Sequence, residues 1–251
     1  MRNCIILGAG RSGTSMLAGV MHGSGYFMGD KLLEATPANP KGYFESQEIN
    51  SLNDELIASV IPVRPRKPRA YLYPWRLPSG LLWLADLDAG VQLRADPEQL
   101  THIRRLVAKE PFCFKDPRFC YTLGAWRPAL DDVVFLCVFR EPGRTAASMR
   151  QNVREEPYRG YHLSRARALR VWTSMYEHAL RESTDGERWL FVHYDQILDG
   201  SAIPLIESAI ETEVGTGFID NTLKRSNDDS SNLPPRTIQV YERLCELSGA
   251  S

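Results

Sequence analysis

The sequence has no excess of charge of either sign, no long apolar run and no closely paired cysteines. Its 251 residues include 30 Lys and Arg against 31 Asp and Glu, so the formal net charge is -1. This balance excludes the broad basic surface that binding to a nucleic acid or an anionic membrane requires. An anionic ligand would therefore have to meet positive charge at a local site.

The cysteine pattern excludes two further classes of protein. The five cysteines are spread along the chain and form no CxxC pair: Cys4, Cys113, Cys120, Cys137 and Cys245. Neither a disulfide framework nor a zinc site is predicted. Every apolar run is shorter than the roughly 18 residues of a membrane span, and the one before Gly8 is too short for a signal peptide. We expect a cytoplasmic protein without a membrane span.

The composition is that of a folded chain with one core. Hydrophobic residues make up 43% and charged residues 24% of the sequence, which excludes a disordered chain. A chain of this length fits one large α/β unit. We therefore expect a single domain over residues 1–251.

Four short apolar segments, at residues 3–7, 112–114, 133–139 and 189–194, are typical of buried strands. Between them, apolar residues recur at helical spacing, as they do in residues 14–22 and 165–180. Strands that alternate with helices predict an α/β fold, a three-layer sandwich with a mainly parallel central sheet.

Residues 62–96 break this alternation. Five prolines interrupt regular structure there, while basic residues alternate with aromatic ones. We interpret the segment as an inserted lid or arm, rich in proline and aromatic residues. Trp75 and Trp83 are suited to stacking on a sugar or a flat molecule, and the basic residues are suited to an acidic acceptor.

The segment GAGRSGTS, residues 8–15, lies between the first strand and the first helix, a position that favours anion binding. Its glycines satisfy GxGxxG, but no acidic residue follows a second strand at the distance that dinucleotide binding requires. The Walker pattern GxxxxGK[ST] fails because Thr14 occupies the lysine position. A third interpretation places the positive charge inside the loop, at Arg11.

In this interpretation one terminal phosphate is surrounded by loop residues: Gly10, Arg11, Ser12, Gly13, Thr14 and Ser15. The segment GRSGTS resembles the 5′-phosphosulfate loop of sulfotransferases that use 3′-phosphoadenosine 5′-phosphosulfate (PAPS), which has Lys or Arg followed by Ser-Gly-Thr-Thr. Ser15 departs from that pattern but preserves a hydroxyl. The resemblance implies a P-loop NTPase-like fold, PAPS as co-substrate, 3′-phosphoadenosine 5′-phosphate (PAP) as product, and no metal.

A second signature follows the strand at residues 133–139. A Walker-type enzyme would place a magnesium-holding acid at its end, whereas this chain has Arg140. Arg140 and Ser148 resemble the 3′-phosphate site of the family, and Tyr194 resembles the tyrosine that approaches the adenine. The family's late Arg-Lys-Gly element is absent as such, and the nearest substitutes are Lys224 and Arg225.

Sulfuryl transfer requires a group that neutralises the departing phosphate and a base for the acceptor proton. The resemblance assigns the first role to Arg11, and Lys115 is suited to the sulfuryl oxygens. The Lys-x-His element of the best-known branch reads Lys115, Asp116 and Pro117 here, so its histidine is missing. Glu45 and Asp116 are the candidate bases.

We favour Glu45 as the base because Asp116, beside Lys115 and Arg118, is suited to a structural ion pair. His22 and His193 are weaker candidates, since such histidines are more often structural.

Three functions follow from these patterns. The first is transfer of a sulfuryl group from PAPS to a hydroxyl or amine of a carbohydrate or small-molecule acceptor, with no nucleic acid as partner. The second is a P-loop kinase for a nucleoside or small molecule, which would need a loop lysine and magnesium ligands. The third is a nucleotide-binding protein without chemistry.

Overall fold

The computed structural model describes residues 1–36, 39–63, 76–154, 161–184, 186–219 and 231–250. Within these ranges the strands are β1 (Cys4–Leu7), β2 (Cys113–Lys115), β3 (Val134–Phe139) and β4 (Arg188–His193). They form one sheet in the order β2-β1-β3-β4, and all neighbouring strands are parallel. The predicted parallel sheet is confirmed, and its strands lie where the apolar segments predict them.

The α-helices of the described ranges are α1 (Thr14–Gly23), α2 (Gln47–Ala58), α3 (Pro97–Val107), α4 (Phe119–Trp126), α5 (Pro142–Asn152), α6 (Arg165–Glu182), α7 (Tyr194–Leu198), α8 (Ile203–Ile210) and α9 (Pro235–Ser248). Side chains cap several of them. The Glu141 carboxylate, for example, accepts from Gly143 N at 2.8 Å and Arg144 N at 2.6 Å, which begins α5 directly after β3. None of these helices is long and apolar enough to cross a membrane.

The helices cover both faces of the sheet. Successive strand residues point to opposite faces. Cys4 and Ile6 pack in one apolar cluster with α1, α7 and α8. Ile5 and Leu7 pack in the other, with α2 to α6 and α9. The predicted three-layer α/β sandwich is confirmed.

The described part of the 62–96 segment packs into the second of these clusters. A short 3-10 helix spans Ser79–Leu84, and the buried leucines of this part join the core at positions 77, 81, 82, 84, 87 and 93. Residues 64–75, which include Trp75, lie outside the described residues. The inserted lid or arm stays a prediction.

Because the strands are parallel, their carboxyl ends meet at one edge of the sheet, where α/β proteins bind ligands. The glycine loop follows β1, Asp116 follows β2, Arg140 follows β3 and Tyr194 follows β4. The fold therefore brings residues that are far apart in the sequence to one edge.

Candidate active site

The glycine loop makes a tight turn between β1 and α1. Gly13 has a φ of 97°, and a Cβ there would lie 2.2 Å from the Tyr194 ring. A Cβ at Gly10 would lie 2.6 Å from the Trp83 ring. Arg11 adopts a φ of 74°, a conformation that is uncommon for a residue with a side chain and clusters at functional sites. The turn leads directly into the amino end of α1, where backbone amides favour an anion.

Arg11 and Ser148, which the sequence associates with different phosphate groups, are in direct contact. Arg11 Nε donates a hydrogen bond to Ser148 Oγ at 3.2 Å. Ser148 belongs to α5, the helix that follows β3. The two predicted phosphate elements therefore lie side by side.

Arg140 and Tyr194 also meet at this edge. Arg140 Cζ lies 4.7 Å from the centroid of the Tyr194 ring, a cation–π contact. Both side chains are largely buried. Burial lowers the pKa of Arg140 and raises the pKa of Tyr194, and the guanidinium partly offsets the second effect. The tyrosine ring thus packs against both a buried cation and Gly13 of the loop.

The hydroxyl of Tyr176, on α6, reaches the same region from the core. Ala9 N donates to it at 3.0 Å. Its oxygen lies 2.8 Å from Val138 O and 2.9 Å from Ser12 Oγ. Ser12 and Tyr176 are fully buried. Their hydrogen bonds join the glycine loop to the end of β3.

Lys115, the last residue of β2, forms a buried ion pair with Glu45. Lys115 Nζ donates to Glu45 Oε1 and, at 3.2 Å, to Ser15 Oγ. Asn50 Nδ2 donates to the other Glu45 oxygen at 3.2 Å, and Asn39 Nδ2 donates to Ser15 Oγ at 3.2 Å. The fold thus places the candidate base Glu45 and the cation Lys115 together at the glycine loop.

Asp116 has a different environment. Asn50 Nδ2 and Asn53 Nδ2 donate to its Oδ2 at 2.9 and 3.0 Å, while Arg118 N and Nη1 donate to its Oδ1 at 2.8 and 3.0 Å. Four donors occupy this fully buried carboxylate. Such an arrangement is suited to holding β2, α2 and α4 together. Because Glu45 is also buried and ion-paired, the choice of Glu45 over Asp116 as the base stays a prediction.

Arg118 has a second acidic neighbour. Asp54 forms an ion pair with it at 2.5 Å. Burial raises the pKa of Asp54 to about 6, although the Arg118 charge opposes the shift. The Arg118 guanidinium therefore pairs with the carboxylates of both Asp116 and Asp54 in a buried network.

The described ring contacts of His22 and His193 include neither Glu45 nor Lys115. Asp195 N donates to His193 Nδ1 at 3.2 Å, and His193 Nε2 lies 3.2 Å from the Tyr241 hydroxyl. Burial lowers the pKa of His193. The His22 ring lies 5.3 Å from the Phe44 ring.

Some residues of this site escape prediction from the sequence. Asn53 occupies the apolar stripe of α2 beside Ile49, Leu52 and Leu56, so its interruption of that stripe is a usable signal. Tyr176 lies one turn after Trp172 on the buried face of α6, and no sequence pattern distinguishes it from a core residue. Lys224 and Arg225 lie outside the described residues. Among the described residues, no group of three or more His, Cys, Asp or Glu side chains is arranged to hold a metal ion.

Comparisons with known proteins give a family. A model of the sulfotransferase family matches residues 4–201. No curated protein matches the sequence at a significant level.

Solved structures of sulfotransferases share the fold. The sulfotransferase domain of the olefin synthase from Synechococcus PCC 7002 is 15% identical with a TM-score of 0.56, and the match covers 98% of this chain and 94% of that one. A sulfotransferase from Alicyclobacillus acidocaldarius is 13% identical with a TM-score of 0.52, and the match covers 100% of this chain and 97% of that one.

Proposed function

Since this chain belongs to the sulfotransferase family, we propose that it transfers a sulfuryl group from PAPS to a hydroxyl or amine of a carbohydrate or small-molecule acceptor. PAPS supplies the activated sulfuryl group and leaves as PAP. The observation that supports this donor most strongly is the contact between Arg11 and Ser148, two residues that the family resemblance associates with different phosphate groups. A donor with phosphates at both the 5′ and 3′ positions requires two adjacent phosphate sites.

In this proposal the 5′-phosphate occupies the turn of residues 8–15. Gly10 and Gly13 let the Trp83 and Tyr194 rings pack against this turn, and Arg11 neutralises the charge that develops on the departing phosphate oxygen. Thr14 and Ser15 add donors in the first turn of α1. Arg140 and Ser148 hold the 3′-phosphate, and Tyr194 lies against the adenine side.

Glu45 takes the proton of the acceptor hydroxyl as its oxygen attacks sulfur. The bond between sulfur and the 5′-phosphate oxygen breaks, and that oxygen keeps the electron pair. Lys115 donates to the sulfuryl oxygens, which gather charge in the transition state. Hydrogen bonds from Lys115 and Asn50 hold the Glu45 carboxylate in place.

The proposal is tested by incubating the protein with sulfur-labelled PAPS and a panel of sugars, phenols and amines. We expect the label to appear in one class of acceptor together with an equal amount of PAP. Transfer of phosphate from magnesium-ATP to the same panel, with no transfer of the label, would contradict the proposal and indicate a kinase.

A further inference from the structure

The Tyr176 hydroxyl is the meeting point of three elements. The tyrosine belongs to α6, Ala9 and Ser12 belong to the glycine loop, and Val138 belongs to β3. β3 ends at Phe139, directly before Arg140. One oxygen atom therefore joins the loop of the proposed 5′-phosphate site to the strand that presents Arg140.

The hydrogen-bonding capacity of these groups determines which atom donates. A tyrosine has one hydroxyl proton, and a carbonyl oxygen only accepts. Tyr176 therefore donates to Val138 O at 2.8 Å. It accepts from Ala9 N at 3.0 Å, and the Ser12 hydroxyl, 2.9 Å away, donates to it as well. This assignment commits the Ser12 hydroxyl proton to Tyr176.

We propose that Tyr176 is a positioning residue that holds the glycine loop and the end of β3 at the spacing required by a nucleotide with phosphates at both the 5′ and 3′ positions. The inference rests on the proposed function. Tyr176 makes no contact with the nucleotide. It acts through Ser12 on one side and through Val138, near Arg140, on the other.

The packing of the aromatic ring is separate from this role. The Tyr176 ring lies 4.6 Å from the Trp172 ring and 6.5 Å from the Phe139 ring. A phenylalanine at this position keeps those ring contacts. It removes one oxygen, so that three buried polar groups lose their shared partner, and with it the hydrogen-bonded link between the loop and β3 through this residue.

The test is the ratio of two affinities, for PAP and for 5′-AMP, measured by calorimetry in the wild-type protein and in Tyr176→Phe. If the hydroxyl holds the two sites in register, the advantage of PAP over 5′-AMP shrinks about 5-fold or more, as expected for a lost coupling between sites. A purely structural role would weaken both nucleotides equally and leave the ratio unchanged, which would overturn the inference.

Tyr26→Phe is the matched control, because this buried tyrosine also donates to a backbone carbonyl, that of Arg2 at 2.9 Å, before β1 begins. The ratio of the affinities for PAP and 5′-AMP in Tyr26→Phe should equal that of the wild type. A decrease in this control as large as that in Tyr176→Phe would also overturn the inference. If Tyr176→Phe does not fold, Ser12→Ala removes one partner instead, and an unchanged ratio there overturns the inference. A wild-type protein with no preference for PAP contradicts the proposed function itself.

Discussion

Arg11 Nε donates a hydrogen bond to Ser148 Oγ at 3.2 Å, which joins the turn after β1 to the helix after β3. The guanidinium has further N–H donors in its planar fork, so a serine can fix its orientation while the other nitrogens meet a phosphate. The two proposed phosphate sites are therefore coupled through a side-chain contact as well as through the fold.

This contact predicts that substitutions at Arg11 and Ser148 are not additive. Arg11→Lys keeps the charge but has no Nε donor, and Ser148→Ala removes the acceptor. In a double-mutant cycle on PAP binding by calorimetry, we expect a coupling free energy of about 0.5–3 kcal/mol, the range found for residues in contact. Arg11→Lys combined with Arg243→Ala, a substitution at an exposed ion pair on α9, serves as the control cycle and should be additive. Additive losses for Arg11 and Ser148 would show that the contact has no part in binding.

The environment of Glu45 predicts a loss of turnover without a loss of binding. Glu45→Gln keeps the shape of the side chain but cannot accept the proton, so turnover should decrease by about 10²-fold or more. The affinity for PAP should stay near that of the wild type. Glu48→Gln is the control, since Glu48 lies three residues further along the chain, in the first turn of α2, and pairs with His102 and Arg105 at the surface. Normal turnover in Glu45→Gln would exclude Glu45 as the base.

The four donors around Asp116 predict a structural effect at that position. Asp116→Asn places an amide N–H₂ against donors that already fill the site, and it weakens the pair with Arg118. We expect the free energy of unfolding to decrease by roughly 3 kcal/mol or more in denaturant titrations. Asp30→Asn, which breaks an exposed pair with Lys109, should change it by less than about 1 kcal/mol. A stable Asp116→Asn protein with abolished turnover would instead make Asp116 the catalytic acid or base.

The raised pKa of Asp54 predicts that the free energy of unfolding depends on pH. Its pKa in the folded protein, about 6, lies above the ordinary value of 3.8. The folded state therefore binds the Asp54 proton more tightly than the unfolded state does. The resulting stabilisation of the folded state is present below about pH 4 and is lost as the pH rises through 6.

Asp54→Asn removes this titration. Between pH 4 and pH 7, the free energy of unfolding of the wild type should decrease relative to that of Asp54→Asn by an amount on the order of 2 kcal/mol. Chemical denaturation at several pH values measures the difference. Parallel curves for the two proteins would contradict the assignment.

The sequence predicts the sheet and the glycine loop because both depend on local patterns. A buried strand is a run of apolar residues, and a loop that binds an anion needs glycines, hydroxyls and a charge within a few positions. Arg11 and Ser148 could each be singled out in this way, although their contact spans two elements far apart in the chain and is visible only once β1 and β3 are paired.

The contacts of buried polar residues are harder to predict. Asn50 and Asn53, on α2, donate hydrogen bonds to Asp116, which follows β2. Their spacing on the helix does not predict that Asp116 is their partner. The described part of the 62–96 segment packs its leucines into the core, although the segment as a whole is rich in proline and aromatic residues. Composition predicted irregular backbone there and gave no information on which side chains are buried.

The central claim is that the carboxyl edge of the sheet binds one nucleotide with phosphates at the 5′ and 3′ positions, and calorimetric titration of PAP, 5′-AMP and magnesium-ATP tests it most directly. We expect PAP to bind more tightly than the other two. Arg140→Ala should reduce the affinity for PAP by about 10- to 100-fold, the loss of a hydrogen bond to a charged group, and should change that for 5′-AMP little. Tighter binding of magnesium-ATP than of PAP, or an equal loss for PAP and 5′-AMP in Arg140→Ala, would contradict the claim.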